Sequence, residues 1–358
     1  MDSKKSKFLI IRLGAIGDIM HSLPVCDFLK KSFPDCEIHW VVDKKNVLLL
    51  QNNPLIDKIF EVDLSAWKAS WLSANTFYDI MKLSKELRAE KYDWAFDLHG
   101  MFKSLVVSAF CGAKKRVAYK DYREFAALGA NVLVEPKSKR PHTYYHIMQR
   151  NLDLVRYCGL KGLCEYEKPI VKLPPSSELA REHVDNLLSG INPNKKTIVF
   201  APKTTWDTKH WDKNEWRALY DNLKHDFNIV FTGSNADLDL IEYITQNDIY
   251  SFVLAGKTNL EEYIQVIREA DMVISPDSSA AHIAYGAYCE NNKTKIITIF
   301  TSTSKHTYAP PESYPFPQDE PECVPCHKRK CTKKTSACTK KIKAQDVAKK
   351  VYELLINN

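Results

Sequence analysis

Short, continuously apolar runs alternate along the chain with longer stretches whose apolar positions recur every third or fourth residue. The runs KFLIIR (7–12), EIHWVVD (37–43), KIFEVD (58–63), WAFDLH (94–99) and RVAY (116–119) predict strands, with helices at 17–33, 75–90 and 101–112 between them. In the second half TIVFAP (197–202), NIVFTG (228–233), SFVLAG (251–256), MVISP (272–276) and KIITIF (295–300) predict a second set, with helices at 213–226, 237–246, 259–269 and 279–288. Strands apolar on both faces and separated by amphipathic helices belong in parallel sheets covered on both sides. The expected class is therefore α/β.

Between the halves lies EYEKPIVKLPPSSELA (165–180), whose Pro169, Pro174 and Pro175, followed by two serines, read as a linker ending in a helix N-cap. The expected domains are 1–172 and 173–358, with the last helix free to pack back on the first. Each domain is expected to be doubly wound and Rossmann-like, the two facing a central cleft. Open α/β sheets bind ligands at the carboxyl ends of their strands.

A length of 358 residues suits two such domains better than one core, and 11 Gly with 17 Pro argue against a disordered or fibrous chain. No apolar run reaches the ~18–20 residues of a membrane span. The opening MDSKKSKFLIIRLGAIGD is basic and then apolar, but the apolar stretch is broken by Arg12 and no small-residue cleavage site follows. A cytoplasmic protein, or one on the membrane face bordering the cytoplasm, is expected. The net charge of +7 is too mild for a dedicated nucleic-acid binder. Its excess between Lys328 and Lys350 fits a solvated face, or one that meets an anionic membrane or phosphorylated substrate.

Five segments carry candidate chemistry. RLGAIGDIMHSLP (12–24) follows the first strand; Gly14 and Gly17 permit a tight turn, and Asp18 opens a helix, as a dipole-favoured acid or a functional one. It is not the GxGxxG dinucleotide pattern. APKTTWDTKHW (201–211) puts Thr204, Thr205 and Lys209 in a loop suited to a diphosphate, with Trp206 and Trp211 as packing residues. In TGSNADLDLIE (232–242), Gly233 and Ser234 turn the chain, while Asp237 and Asp239 mimic a metal–nucleotide DxD that a helix start explains equally well. In MVISPDSSAAHIA (272–284), Ser278 and Ser279 begin a helix whose free amides can cradle phosphate, flanked by Asp277 and His282. The last is CVPCHKRKCTKKTSAC (323–338). Cys323, Cys326, Cys331 and Cys338 fit a structural metal knot, a reducible disulfide or free thiols, and the outer gaps match no standard zinc ribbon. The other six cysteines read as buried thiols.

Together these segments resemble the lipopolysaccharide heptosyltransferases, inverting GT-B enzymes of glycosyltransferase family 9, over nearly the whole chain. IIRLGAIGDIMHSLP is similar to the family's N-terminal signature, which implies that Asp18 is the catalytic base. TTWDTKHW resembles the donor-phosphate loop of the enzyme adding the first heptose and places the phosphate lysine at Lys209. PDSSAAHIA resembles the family's D-[ST]-G-x-x-H-[ILV] motif through Asp277, Ser278 and His282. Ser279 stands where the family has Gly, a change that strains the loop if positive φ is needed there. Asp237 stands where a Glu often holds the ribose. WKASW (67–71) and YREFAAL (122–128) are similar to acceptor loops of the first-heptose enzyme, whereas the cysteine tail is more like the enzyme adding the second heptose.

The resemblance implies ADP-L-glycero-D-manno-heptose as donor, Kdo2-lipid A as acceptor, no required cofactor or metal, and peripheral contact with the cytoplasmic face of the inner membrane. Asp18 then takes the acceptor proton. Lys209, Thr204, Thr205 and the amides at Ser278 and Ser279 stabilise the leaving diphosphate, and Asp237, Asp277 and His282 complete the donor site. Lys103, Arg123 and His146 are the acceptor candidates, and domain closure excludes water. Addition of a second or third heptose, and non-catalytic nucleotide-sugar binding, are the competing expectations.

Overall fold

The structure, a computed structural model, describes residues 5–70, 73–138, 145–333 and 336–356. It divides into two compact units after Pro175. The first unit carries β1 (Lys7–Ile11), β2 (Glu37–Asp43), β3 (Lys58–Val62), β4 (Trp94–Asp97), β5 (Lys115–Tyr119) and β6 (Val132–Val134). Its helices are α1 (Ile16–Met20), α2 (Leu23–Ser32), α3 (Leu64–Ala69), α4 (Ala74–Glu90), α5 (Phe102–Phe110) and α6 (Ile147–Arg156). The second carries β7 (Thr197–Phe200), β8 (Asn228–Phe231), β9 (Ser251–Val253), β10 (Met272–Pro276), β11 (Lys295–Ile299) and β12 (Tyr314–Phe316). Its helices are α7 (Glu178–Leu188), α8 (Lys213–Leu223), α9 (Leu238–Thr245), α10 (Leu260–Glu269), α11 (Ser279–Asn291), α12 (Lys305–Tyr308), α13 (Ala337–Lys341) and α14 (Ala344–Leu355).

Each unit contains a six-stranded sheet, in the orders β3-β2-β1-β4-β5-β6 and β12-β11-β10-β7-β8-β9, with every recorded strand pair parallel. The second order, read from β9, repeats the first. Chain direction across each sheet therefore reverses beside its first strand, between β1 and β4 and between β7 and β10. A crevice opens at the carboxyl ends of strands at such a switch point.

The apolar runs fill both faces of these sheets. Phe8, Leu9, Ile10 and Ile11 are all fully buried although successive side chains point to opposite faces. On one face of the first sheet Leu9, Ile11 and Val41 pack with Leu83 and Leu87 of α4 and Val107 of α5. In the second, Phe200, Phe231 and Ile299 pack with Trp216 of α8 and Val347, Val351 and Leu354 of α14. Burying a side chain of this size contributes roughly 1.5–3 kcal/mol. The sequence left the last helix free to return to the first domain. The structure packs it in its own unit, where the Tyr352 hydroxyl reaches Asp226 at 2.5 Å.

Several elements differ from the sequence expectation, among them short helices such as α3, α6, α12 and α13 that it did not include. The helix expected over 17–33 is broken, because Pro24 sits in the first turn of α2, where a missing N–H costs least, and α1 ends before it. β6 and β12 were not foreseen. They are edge strands of three residues, and β12 contains Pro315, which only an edge tolerates.

Candidate active site

At the switch point of the first unit, the chain leaves β1 through Arg12. Its backbone N–H donates to the Val41 carbonyl at 3.3 Å, and its own carbonyl accepts from the indole of buried Trp40 at 2.9 Å. The Arg12 side chain is 10% exposed. One nitrogen donates to the Leu98 carbonyl beyond β4, and Nη2 lies 2.5 Å from Asp18 Oδ2. Asp18 sits in the first turn of α1, with its side chain 43% exposed. Ser22 Oγ donates to its carbonyl at 2.8 Å.

The loop after β4 is organised by Asp97. Its fully buried carboxylate accepts from the amides of His99 and Gly100 at 2.9 and 3.0 Å and from Ser104 Oγ at 2.8 Å. Burial pushes its pKa up to about 6, against the pull of those donors. Burial, reinforced by Arg12, pushes the imidazole of His99 down to about 3, so it stands neutral. The Lys103 ammonium acts on His99 in the same sense. Arg123 is exposed in the following loop, which is tied back by the Tyr122 hydroxyl donating to the Asp97 carbonyl at 2.6 Å. His146 is the N-cap of α6, where Nδ1 accepts from the Met148 amide at 3.2 Å. In WKASW, Trp67 is buried and Trp71 lies outside the described residues.

In the second unit the segments after β7, β10 and β11 converge. Lys209 Nζ lies 2.7 Å from Asp277 Oδ2 and 3.3 Å from the Asp277 carbonyl. Thr303 Oγ1 donates to the same carboxylate at 2.7 Å, and His282 Nε2 lies 3.6 Å from its other oxygen. Burial alone would raise the Asp277 carboxyl; His282 and Lys209 instead hold it far below the ordinary carboxylate value. Asp277 and His282 are 4% and 3% exposed, so they brace Lys209 from behind. Ser278, the N-cap of α11, makes no side-chain cap, which leaves the first-turn amides open to a ligand. Thr205 is exposed and Thr204 half-buried, with the Thr204 carbonyl 2.8 Å from His210 Nε2.

Ser279 causes no backbone strain. It is the first residue of α11 and is not among the residues with positive φ. The side chains of Ser279 and Thr232 both lie near the Tyr263 hydroxyl. Asp237 is engaged locally: Oδ2 accepts from the amide and hydroxyl of Ser234 at 2.7 and 3.0 Å, and Lys203 lies 3.4 Å from Oδ1.

Sequence reasoning missed Arg12, Lys203, Tyr263 and the buried hydroxyl run Thr301–Ser304. Only the last had a signal, four consecutive hydroxyl residues ending a strand. Thr301 Oγ1 donates to the Thr208 carbonyl at 2.6 Å, and the Thr208 hydroxyl donates to the Lys328 carbonyl. This ties the cysteine-rich segment to the Lys209 loop. Cys323, Cys326, Cys331 and Cys338 line one cavity of about 370 Å³, and none of the four is in a disulfide among the described residues. Burial, with Cys323 nearby, raises the Cys338 thiol. Among the described residues no three His, Cys, Asp or Glu are arranged to hold a metal ion, and no helix is long and apolar enough to cross a membrane.

The sequence model of glycosyltransferase family 9 (heptosyltransferase) matches residues 80–341. The chain is 25% identical over 327 residues to the lipopolysaccharide core heptosyltransferase OpsX of Haemophilus influenzae, covering 85% of this chain and 87% of that protein. It is 28% identical over 376 residues to lipopolysaccharide heptosyltransferase 1 of Campylobacter coli, covering 97% and 98%. The fold matches that of the ADP-heptose lipopolysaccharide heptosyltransferase II of Escherichia coli, with a TM-score of 0.76 and 18% identity over 98% of this chain and 99% of that one.

Proposed function

The chain belongs to glycosyltransferase family 9 (heptosyltransferase), and from that premise we propose that it transfers L-glycero-D-manno-heptose from ADP-heptose to Kdo2-lipid A. The relatives named above include proteins described as heptosyltransferase 1 and heptosyltransferase II, so the acceptor is the point to be tested. The observation that carries the reading is the Lys209–Asp277 pair at 2.7 Å beside an N-terminus that its own N-cap side chain leaves open. A cation beside free amides supports reading this as the place where a leaving diphosphate is stabilised.

In this reading Asp18 accepts the acceptor hydroxyl proton as the oxygen attacks the anomeric carbon. The bond from that carbon to ADP breaks with its electron pair on the diphosphate, through an oxocarbenium-like transition state. Lys209, Thr204, Thr205 and the amides at Ser278 and Ser279 take up the diphosphate charge, with no metal required. Asp277, Thr303 and His282 hold Lys209 in place. Asp237 addresses the ribose hydroxyls by exchanging its Ser234 contacts for them. Lys103 and Arg123 serve the acceptor's anionic groups. His146 contributes by capping α6. The protein works on the cytoplasmic face of the inner membrane, touching it from one side.

The test is product formation by purified protein from ADP-heptose with Kdo2-lipid A or its mono-heptosylated form, in the presence of EDTA. Transfer to Kdo2-lipid A supports first-heptose addition without a metal. Transfer only to the heptosylated acceptor moves the enzyme one step along core assembly, and transfer to neither removes the specific activity.

A further inference from the structure

We propose that Arg12 is a positioning residue of the transfer reaction: its guanidinium holds one oxygen of the Asp18 carboxylate and so aims the other at the acceptor hydroxyl. The inference rests on the reading of Asp18 as the base and goes beyond it by naming what orients that base.

α1 has only five residues and no side-chain N-cap, so by itself it cannot fix the direction of a half-exposed carboxylate. Arg12 can. Its backbone is held to β2 through Val41 and Trp40, and its side chain reaches across the switch point to Leu98, at the end of β4. Two strands of the sheet thus determine where the guanidinium stands. From there Nη2 meets Asp18 Oδ2 at 2.5 Å, while the carboxylate stays 43% exposed and keeps an oxygen for the substrate.

The electrostatics agree. A buried guanidinium is costly without a carboxylate partner, and Asp18 is its direct ion pair. Asp97 is also nearby, but its carboxylate is taken by two amides and a hydroxyl. His99 is held neutral, so it does not compete as a cation. Arg12 Nε has no hydrogen-bond partner among the described residues. A guanidinium retained under that strain for one carboxylate contact fits orientation of Asp18 better than bulk stability.

During transfer the acceptor O–H proton passes to the free Asp18 oxygen. The new O–C bond forms at the anomeric carbon, and the bond to ADP breaks with its pair on the diphosphate. Arg12 stays protonated throughout and exchanges nothing. It contributes by removing rotational freedom from the base, a misplacement of which by ~1 Å can cost about 10²-fold in rate.

The experiment compares Arg12→Met, Arg12→Lys, Asp18→Asn and the Arg12→Met/Asp18→Asn double variant for kcat, KM of both substrates, ADP binding by calorimetry and thermal stability. Arg12→Met should lower kcat about 10²-fold, with KM values and ADP affinity within about threefold of wild type. Arg12→Lys keeps the charge, which protects folding, but one ammonium cannot span both Leu98 and Asp18. It should recover about tenfold of the loss. In the Asp18→Asn background, Arg12→Met should cost nothing further, because the residue acts through the base. An undiminished loss in that background, or full kcat in Arg12→Lys and Arg12→Met, overturns the proposal while leaving Asp18 as base. Turnover surviving in Asp18→Asn alone overturns the base assignment, and this inference with it.

Discussion

Lys209 Nζ and Asp277 Oδ2 lie 2.7 Å apart with side chains 18% and 5% exposed, so the cation read as the phosphate ligand already has a buried counter-ion. The diphosphate has to share or take over that ammonium, and the strength of the pair tunes the site.

Lys209→Met should lower kcat by about 10²–10³-fold, the range for removing one fixed donor to a developing charge, and should also weaken ADP binding. It leaves Asp277 with Thr303 and His282 only. Unfolding should therefore become easier by about 3–5 kcal/mol, as when one partner of a buried pair is removed. Calorimetric ADP titration with urea unfolding checks both. Unchanged ADP affinity would remove Lys209 from the phosphate site.

Asp97 makes stability depend on pH in the opposite sense to a salt-bridged carboxylate. Its folded pKa, about 6, exceeds the unfolded value near ~3.9. Between these values the native state binds the extra proton. The contribution is thus fully present below about pH 4 and lost as pH rises through about 6. The shift corresponds to roughly 3 kcal/mol. Urea unfolding from pH 4 to 7 should show this loss in wild type and a flatter profile in Asp97→Asn.

Ser279→Gly should leave kcat within about threefold of wild type. The position opens α11 without positive φ, so glycine gains no conformational advantage there, and the main loss is the contact with Tyr263. A large gain in turnover would mean that the serine obstructs the donor.

Gly100→Ala should destabilise the first unit by about 1–3 kcal/mol. The residue has φ of +69°, and a Cβ there would come within 2.5 Å of the Tyr122 ring. Since Tyr122 is tied to the Asp97 carbonyl, the acceptor loop should shift too, raising KM for the acceptor and leaving KM for the donor unchanged. Thermal unfolding and initial rates test the two effects separately.

What the sequence determined by itself is what depends on neighbours along the chain. Apolar runs such as KFLII and TIVF, buried on both faces, could only be inner strands of covered parallel sheets. The carboxyl-end loops that follow them marked Asp18, Lys209 and Asp277 as candidates. β9, an edge strand equally short, stood out through the apolar run SFVLAG, whereas β12 is interrupted by Pro315 and the three residues of β6 are too few to register. Tertiary structure decided which candidates meet. Lys209 reaches Asp277, 68 residues away, because β7 and β10 are neighbours in the sheet. Arg12 reaches Leu98, 86 residues away, because β1 and β4 are. It also decided which candidates were already engaged: His146 as an N-cap, Asp237 in a turn, Asp277 and His282 behind Lys209. Spacing along a chain governs which side chains share a face. Strand order, set by crossovers tens of residues long, governs which faces meet, and no local pattern encodes it.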